Sequence, residues 1–372
     1  MSSSANAVAP KLLDAARFRG DIGGEAVALY TLRNSRGMVA CITNYGAKIE
    51  QVLVPGPDGQ DGQPTDVVLG YDSLEAAMGG SASMGAFIGR YAGRIGNAQF
   101  TLDGVTHRLN ANNGPNCLHG GLRGSRFRVF KAVQRNDSSV EMSCLFEDGE
   151  EGFPGALMLR LKYSLTEANE LALDYEATAQ DKPTVASFTT HAFFNLNGES
   201  ADGLQRDVRS HEVMIAADRY FAATDDLVAT GELLDVAGTP FDFRQPVLLG
   251  ERMPASDGRP TTASVEGYDS CYLISPAAGD VPVLAARVRA PATGRVMEVW
   301  STEPAMQFYT GLQAGEPLLG GRGKSGRVYL QQQSLCLEPQ GYPNAPNCPA
   351  FPSSVHLPGE TRRGKTIYRF MA

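Results

Sequence analysis

Apolar residues recur along the chain in short runs of alternating or β-branched character, among them Met38–Thr43, Val67–Leu69, Val140–Phe146, Leu157–Leu165, Leu171–Ala177 and Val296–Ser301. A period of two puts successive side chains on opposite faces, so these runs predict strands. Turn signals separate them, as at Pro57-Asp58-Gly59, Asp103-Gly104, Asn112-Asn113-Gly114-Pro115 and Pro154-Gly155. The spacing leaves no room for long helices. Helical periodicity is confined to two brief pieces, Lys11–Ala16 and Ser73–Met78. A parallel α/β sheet, which needs a crossover helix between strands, is therefore disfavoured. No fixed-period repeat or low-complexity run divides the chain. The pattern predicts an all-β fold, a single large antiparallel β-sandwich. Its two stacked sheets would hide their inner faces and leave edges and one concave face for function.

Composition adds exclusions. The 372 residues, 42% of them hydrophobic, suffice for a sizeable core, and 41 glycines with 22 prolines suit many turns. A formal net charge of −8 argues against nucleic acid or an anionic membrane as partner. No stretch approaches the roughly 20 apolar residues that span a bilayer. Met1 to Pro10 lacks the basic and apolar regions of an export signal, so a cytoplasmic protein is expected. Cys41, Cys117, Cys144, Cys271, Cys336 and Cys348 lie far apart with no Cys-x-x-Cys pair, which indicates neither a zinc site nor a disulfide framework.

The five histidines divide into two groups. His107, His211 and His356 stand in polar or strand-edge surroundings and read as exposed or structurally hydrogen-bonded. His119 sits in Asn116-Cys117-Leu118-His119-Gly120-Gly121, where glycine lets a ligand approach the backbone, and His191 lies beside two aromatics in Thr189-Thr190-His191-Ala192-Phe193-Phe194. A reaction that protonates a weakly basic ring oxygen near neutral pH wants an acid whose pKa lies near the working pH, and histidine supplies one. Among many surface acids two stand apart. Glu338 follows the apolar run Leu335-Cys336-Leu337, a context that raises a carboxyl pKa toward base duty, and Asp269 leads into a strand from Gly267-Tyr268. Gly323-Lys324-Ser325 looks like the end of a phosphate-binding loop, but Leu318 stands where that motif requires glycine, so it reads as a surface loop.

At Ile88-Gly89-Arg90-Tyr91-Ala92-Gly93-Arg94-Ile95-Gly96-Asn97 the chain closely resembles the galactose mutarotase family of aldose 1-epimerases. The match continues through Asn113-Gly114-Pro115-Asn116-Cys117-Leu118-His119-Gly120-Gly121, Asp148-Gly149-Glu150-Glu151-Gly152-Phe153-Pro154-Gly155 and the His191 segment. Thr230-Gly231-Glu232, Gly267-Tyr268-Asp269, Gln307-Phe308-Tyr309-Thr310-Gly311 and Leu337-Glu338-Pro339-Gln340 complete it in family order. Ordered blocks over residues 25 to 370 are far more specific than any one motif. The resemblance implies a galactose mutarotase-like supersandwich over 25–372, preceded by a partly ordered N-terminal extension, 1–24. It implies interconversion of α and β anomers of free aldohexoses such as glucose and galactose, without metal or nucleotide. Glu338 would be the general base, His191 the general acid and His119 its assistant, while Arg94, Asp269 and Gln307 hold hydroxyls. An aromatic such as Phe308 or Tyr309 would cover an apolar sugar face. The partner is a monosaccharide and the protein a monomer or homodimer. Gly93 and Ser270 depart from the asparagine and histidine of many relatives beside expected sugar contacts.

Three rival functions use similar faces. A non-catalytic carbohydrate-binding β-sandwich needs no acid and base, a glycoside hydrolase needs paired carboxylates flanking a glycosidic bond, and a hexose-phosphate 1-epimerase needs a cationic pocket.

Overall fold

The computed structural model describes residues 10–56, 63–80, 83–253, 267–274, 280–312 and 316–371. Pro57-Asp58-Gly59 lies outside them. Strands dominate, and every pairing between them is antiparallel among the described residues. The largest sheet has nine strands, in the order Lys131–Asn136, Ser139–Phe146, Leu157–Leu165, Glu170–Ala179, Thr361–Met371, Val296–Ser301, Val283–Arg289, Glu212–Ile215 and Val247–Leu248. A second has five, in the order Ala229–Asp235, Arg219–Ala223, Asp269–Leu273, Ala305–Tyr309 and Cys336–Gln340. A third has four, Leu29–Arg33, Val39–Thr43, Lys48–Val54 and Thr65–Asp66.

Alternation explains how the sheets stack. Along Leu157–Leu165 every second residue, from Leu157 to Leu165, is buried, and these side chains join Leu171, Leu173 and Tyr175 of the neighbouring strand in one core. From the same sheet Met297, Val299, Tyr368 and Phe370 meet Tyr220, Tyr272, Met306, Phe308 and Leu337 of the five-stranded sheet. Each large apolar side chain so buried contributes roughly 1.5–3 kcal/mol. The opposite face of the five-stranded sheet carries Asp269, Gln307 and Glu338 beside an apolar patch of Phe221, Cys271 and Ala305.

Two expected elements differ from what forms. Lys11–Ala16 is not an α-helix; a single 3-10 turn covers Ala15–Phe18, with the Ala16 amide donating to the Asp14 carboxylate. Four residues cannot sustain the helical period, and burial of Phe18 against Leu29, Val39 and Leu53 fixes the segment instead. Val67–Leu69 carries only an isolated bridge from Val68 to Phe194, because the chain peels from the sheet after Asp66 to bond the Phe193 region. The second helical piece forms over Leu74–Gly79, with Ser73 as its N-cap rather than its first turn. Ahead of residue 25, Leu13 N–H donates to Gln51 and Gly20–Ile22 pairs with Glu25–Val27. Among the described residues no helix is long and apolar enough to cross a membrane.

Candidate active site

Strand Cys336–Gln340 ends the five-stranded sheet, where Pro339, lacking an N–H, is tolerated. Its period of two sends Leu337 into the core and Glu338 to the opposite face, 2% exposed. Cross-strand register then sets the neighbours. Gln307 lies opposite Glu338, and Asp269 lies opposite Tyr309 on the next strand, which makes Asp269 and Gln307 a diagonal pair. The Gln307 amide donates to the Asp269 carboxylate.

His191 reaches the same place from the other side. Reciprocal backbone bonds join Phe194 to Leu335, just ahead of the Glu338 strand, at 2.8 and 2.9 Å. His191 N–H donates to the Ala86 carbonyl and Gly85 N–H donates to the His191 carbonyl, so its backbone is held at both groups. The ring stacks on Phe193, centroids 4.9 Å apart and planes 10° apart, with Tyr309 edge-on at 6.4 Å. Its Nε2 lies 3.7 Å from Glu338 Oε1.

A two-residue ribbon supplies the remaining groups: Leu118 pairs with Arg94, which places His119 opposite Gly93, the residue just before Arg94. His119 adopts φ 55°, an uncommon backbone for a residue with a Cβ, and its N–H donates to the Gly93 carbonyl at 3.0 Å. Gly93 N–H in turn donates to His119 Nδ1 at 3.3 Å, which assigns the ring proton to Nε2. The His119 and His191 rings stand edge-on at 5.4 Å. Arg94 Nε donates to Asn113 Oδ1 at 2.9 Å, and its Nη2 approaches Asp269 Oδ2 at 3.8 Å.

Burial, and then the charge of Asp269, push the Glu338 carboxyl well above the usual carboxylate range, against the pull of Arg94. Burial lowers His191 to about 3, so its imidazole is neutral at neutral pH. His119 keeps some contact with solvent, yet burial of its ring and the nearby His191 hold its pKa well below the ordinary value. Neither histidine is the acid titrating near neutrality that the sequence suggests. The site instead holds neutral imidazoles that can donate N–H, beside a carboxyl whose raised pKa makes it a stronger base once ionised. Ligand atoms of His119, His191 and Glu338 lie within 4.8 Å of one another. The Gly93 bond opposes a metal there, since it leaves His119 Nε2 carrying a proton rather than a free lone pair.

All six residues singled out in the sequence thus gather on one face. Phe308 does not: it is fully buried on the core side, while Tyr309 faces the site. Ser270 likewise alternates away from Asp269 and is buried. His211 is buried and accepts from Leu196 N–H, and His356 is buried in the short strand where it pairs with Thr184, so neither is exposed. Sequence reasoning missed Asn113, which orients Arg94, Phe193, which sets the plane of His191, and the Gly93 amide. Asn113 sits in a recognisable block, but nothing local distinguishes a side chain that fixes an arginine from one that makes a turn.

A sequence profile described as aldose 1-epimerase matches residues 28–369. The aldose 1-epimerase of Escherichia coli K12 is 37% identical over 352 residues, 94% of this chain and 96% of that protein. The galactose mutarotase of Bos taurus is 38% identical over 349 residues, 94% and 95% of the two chains. A solved aldose epimerase homologue from C. elegans superposes with a TM-score of 0.82 at 27% identity, covering 93% of this chain and 99% of that one. The galactose 1-epimerase of Lactobacillus acidophilus gives 0.78 at 25%, covering 95% and 96%. The chain belongs to the aldose 1-epimerase family, and it is an isomerase.

Proposed function

We propose that the chain interconverts the α and β anomers of free aldohexoses, glucose and galactose among them, by ring opening at Glu338 and His191. The observation that carries this reading is the 3.7 Å approach of His191 Nε2 to Glu338 Oε1, a base and an N–H donor close enough to serve two oxygens on one carbon. Ionised Glu338 takes the proton of the C1 hydroxyl. The C1–O5 bond breaks as C1 becomes an aldehyde, and neutral His191 gives its Nε2 proton to O5. The carboxyl, now protonated and adjacent to the same nitrogen, returns a proton to it, so both residues regain their starting forms. Rotation about C1–C2 and the reverse sequence close the other anomer.

His119 Nε2–H donates to O5 or to a neighbouring hydroxyl. Arg94, Asp269 and Gln307 tether the hydroxyls that must stay fixed while C1 turns, charged groups giving the stronger bonds. Tyr309 offers an apolar face to the ring. Six unpaired, buried cysteines support a reducing, cytoplasmic compartment. Every residue given a role belongs to one chain, so a monomer or a homodimer serves equally. The test is polarimetry of freshly dissolved α-D-glucose and α-D-galactose with protein dialysed against a chelator. Acceleration toward the anomeric equilibrium is expected, and strict dependence on added metal would overturn the proposal.

A further inference from the structure

The strands that carry the site run in an order that matches the atoms around an anomeric centre. The His191 segment flanks the Glu338 strand through the Phe194–Leu335 bridge; from Glu338 the next strand bears Gln307, the next Asp269 and Cys271, and the next Phe221. Adjacent strands are about 4.8 Å apart, so Gln307 and Asp269 stand one and two steps from Glu338 on the side away from His191. In a pyranose, O5 and C2 flank C1. A sugar with O5 at His191 and O1 at Glu338 therefore turns C2 toward Gln307 and Asp269.

That pair also lines a recess whose other walls include Phe221, Ala223, Leu227, Ala229, Cys271 and Pro343. It leaves about 30 Å³. A single water needs roughly 10–15 Å³ on that measure, so the space takes a group of about two heavy atoms. Phe221, Ala223, Leu227, Ala229 and Pro343 give it an apolar wall that suits a methyl, and Asp269 and Gln307 supply polar partners for the group that carries it. Gly93 keeps adjoining space open: a Cβ at that position would meet only the Gln340 amide, at 3.7 Å, and that amide donates to Cys271 Sγ at 3.6 Å.

We propose that the recess receives the acetyl methyl of a 2-acetamido-2-deoxyhexose, making N-acetylhexosamines substrates for the same anomer exchange. The inference rests on the assignment of Glu338 to O1 and His191 to O5. The acetamido N–H replaces the C2 hydroxyl as donor to the Asp269 carboxylate, and the methyl passes between Ala223 and Cys271 into the apolar space. The bonds made and broken at C1 are those of the parent reaction.

Magnetisation exchange between α and β H1 signals in proton NMR measures the reaction for D-glucose and N-acetyl-D-glucosamine alike. The wild-type protein is expected to accelerate both, with kcat/KM for N-acetylglucosamine within about tenfold of glucose. Ala223→Leu fills the recess from a partly exposed strand position, and should lower the ratio of N-acetylglucosamine to glucose kcat/KM at least tenfold. Ala229→Val narrows it from the cross-strand position paired with Ala223 and should lower the same ratio. Exchange of glucose with none of N-acetylglucosamine overturns this proposal and leaves the parent reading standing. Exchange of neither sugar overturns the parent reading. Ratios unchanged in both folded variants show that the recess does not face C2.

Discussion

Replacing His191 with asparagine separates chemistry from packing, because the ring does both. The imidazole lies flat on Phe193 at 4.9 Å and is 8% exposed, so its removal forfeits a stacked pair worth about 0.5–1.5 kcal/mol and leaves a small void. A stability loss of about 1–2 kcal/mol should follow, visible as a lower denaturant midpoint. The catalytic loss is larger. Proton delivery to O5 matters as the C1–O5 bond breaks, and a positioned acid contributes about 100- to 10,000-fold, or about 3–5 kcal/mol. Asparagine keeps an N–H donor but cannot transfer and recover a proton, so kcat in a polarimetric assay should fall at least 100-fold with KM changed much less. Phe193→Leu provides the control. It removes the stacking partner and should cost stability with less than a tenfold effect on kcat. A folded His191→Asn protein whose kcat stays within threefold of wild type would refute the acid assignment, and so would equal kcat losses in the two variants.

Two further outcomes are expected. Burial raises the Glu338 pKa and only the ionised form accepts a proton, so kcat/KM should fall as pH drops through an apparent pKa above the ordinary carboxylate range. His191, neutral down to about 3, adds no limb above that, and a profile flat down to pH 4 would contradict the electrostatics. Asn113→Ala deletes the bond that orients Arg94; hydrogen bonds to charged groups are worth about 1.5–3 kcal/mol, so KM for galactose should rise roughly tenfold or more with kcat nearly unchanged, and an unaltered KM would remove Asn113 from the site.

The sheets were legible because alternation is a local signal. Leu157–Leu165 and Val296–Ser301 form over the spans the period of two indicates, since each strand buries one face whatever its partner. Glu338 stood out as a carboxylate set against the apolar run Leu335-Cys336-Leu337, and Asp269 as one leading into a strand from Gly267-Tyr268. The 3-10 turn in place of a helix near residue 15, and the bridge at Val68, depend on contacts distant in sequence, Phe18 on Leu53 and Val68 on Phe194, which no window reveals. The neutral state of His191 was hidden likewise. Its pKa is set by the depth at which Phe193 and Tyr309 hold the ring, a property of the assembled site and not of the flanking residues.

Glu338→Gln isolates the buried carboxylate proposed to take the anomeric proton. The amide keeps shape and reach. Because burial raises the carboxyl pKa, ionised Glu338 works against the fold at neutral pH: stability falls as pH rises above the unfolded-state pKa of about 4.3 toward the raised native value. The neutral amide carries no such cost, so Tm at pH 7 should be equal to wild type or higher. Proton NMR exchange between α- and β-galactose, measured on this variant beside sugar binding by calorimetry, is the decisive measurement. The account predicts a folded protein that binds galactose and exchanges its anomers at least 100-fold more slowly than wild type, with the acid limb of the pH profile gone. Exchange at the wild-type rate, with that limb unchanged, would contradict it.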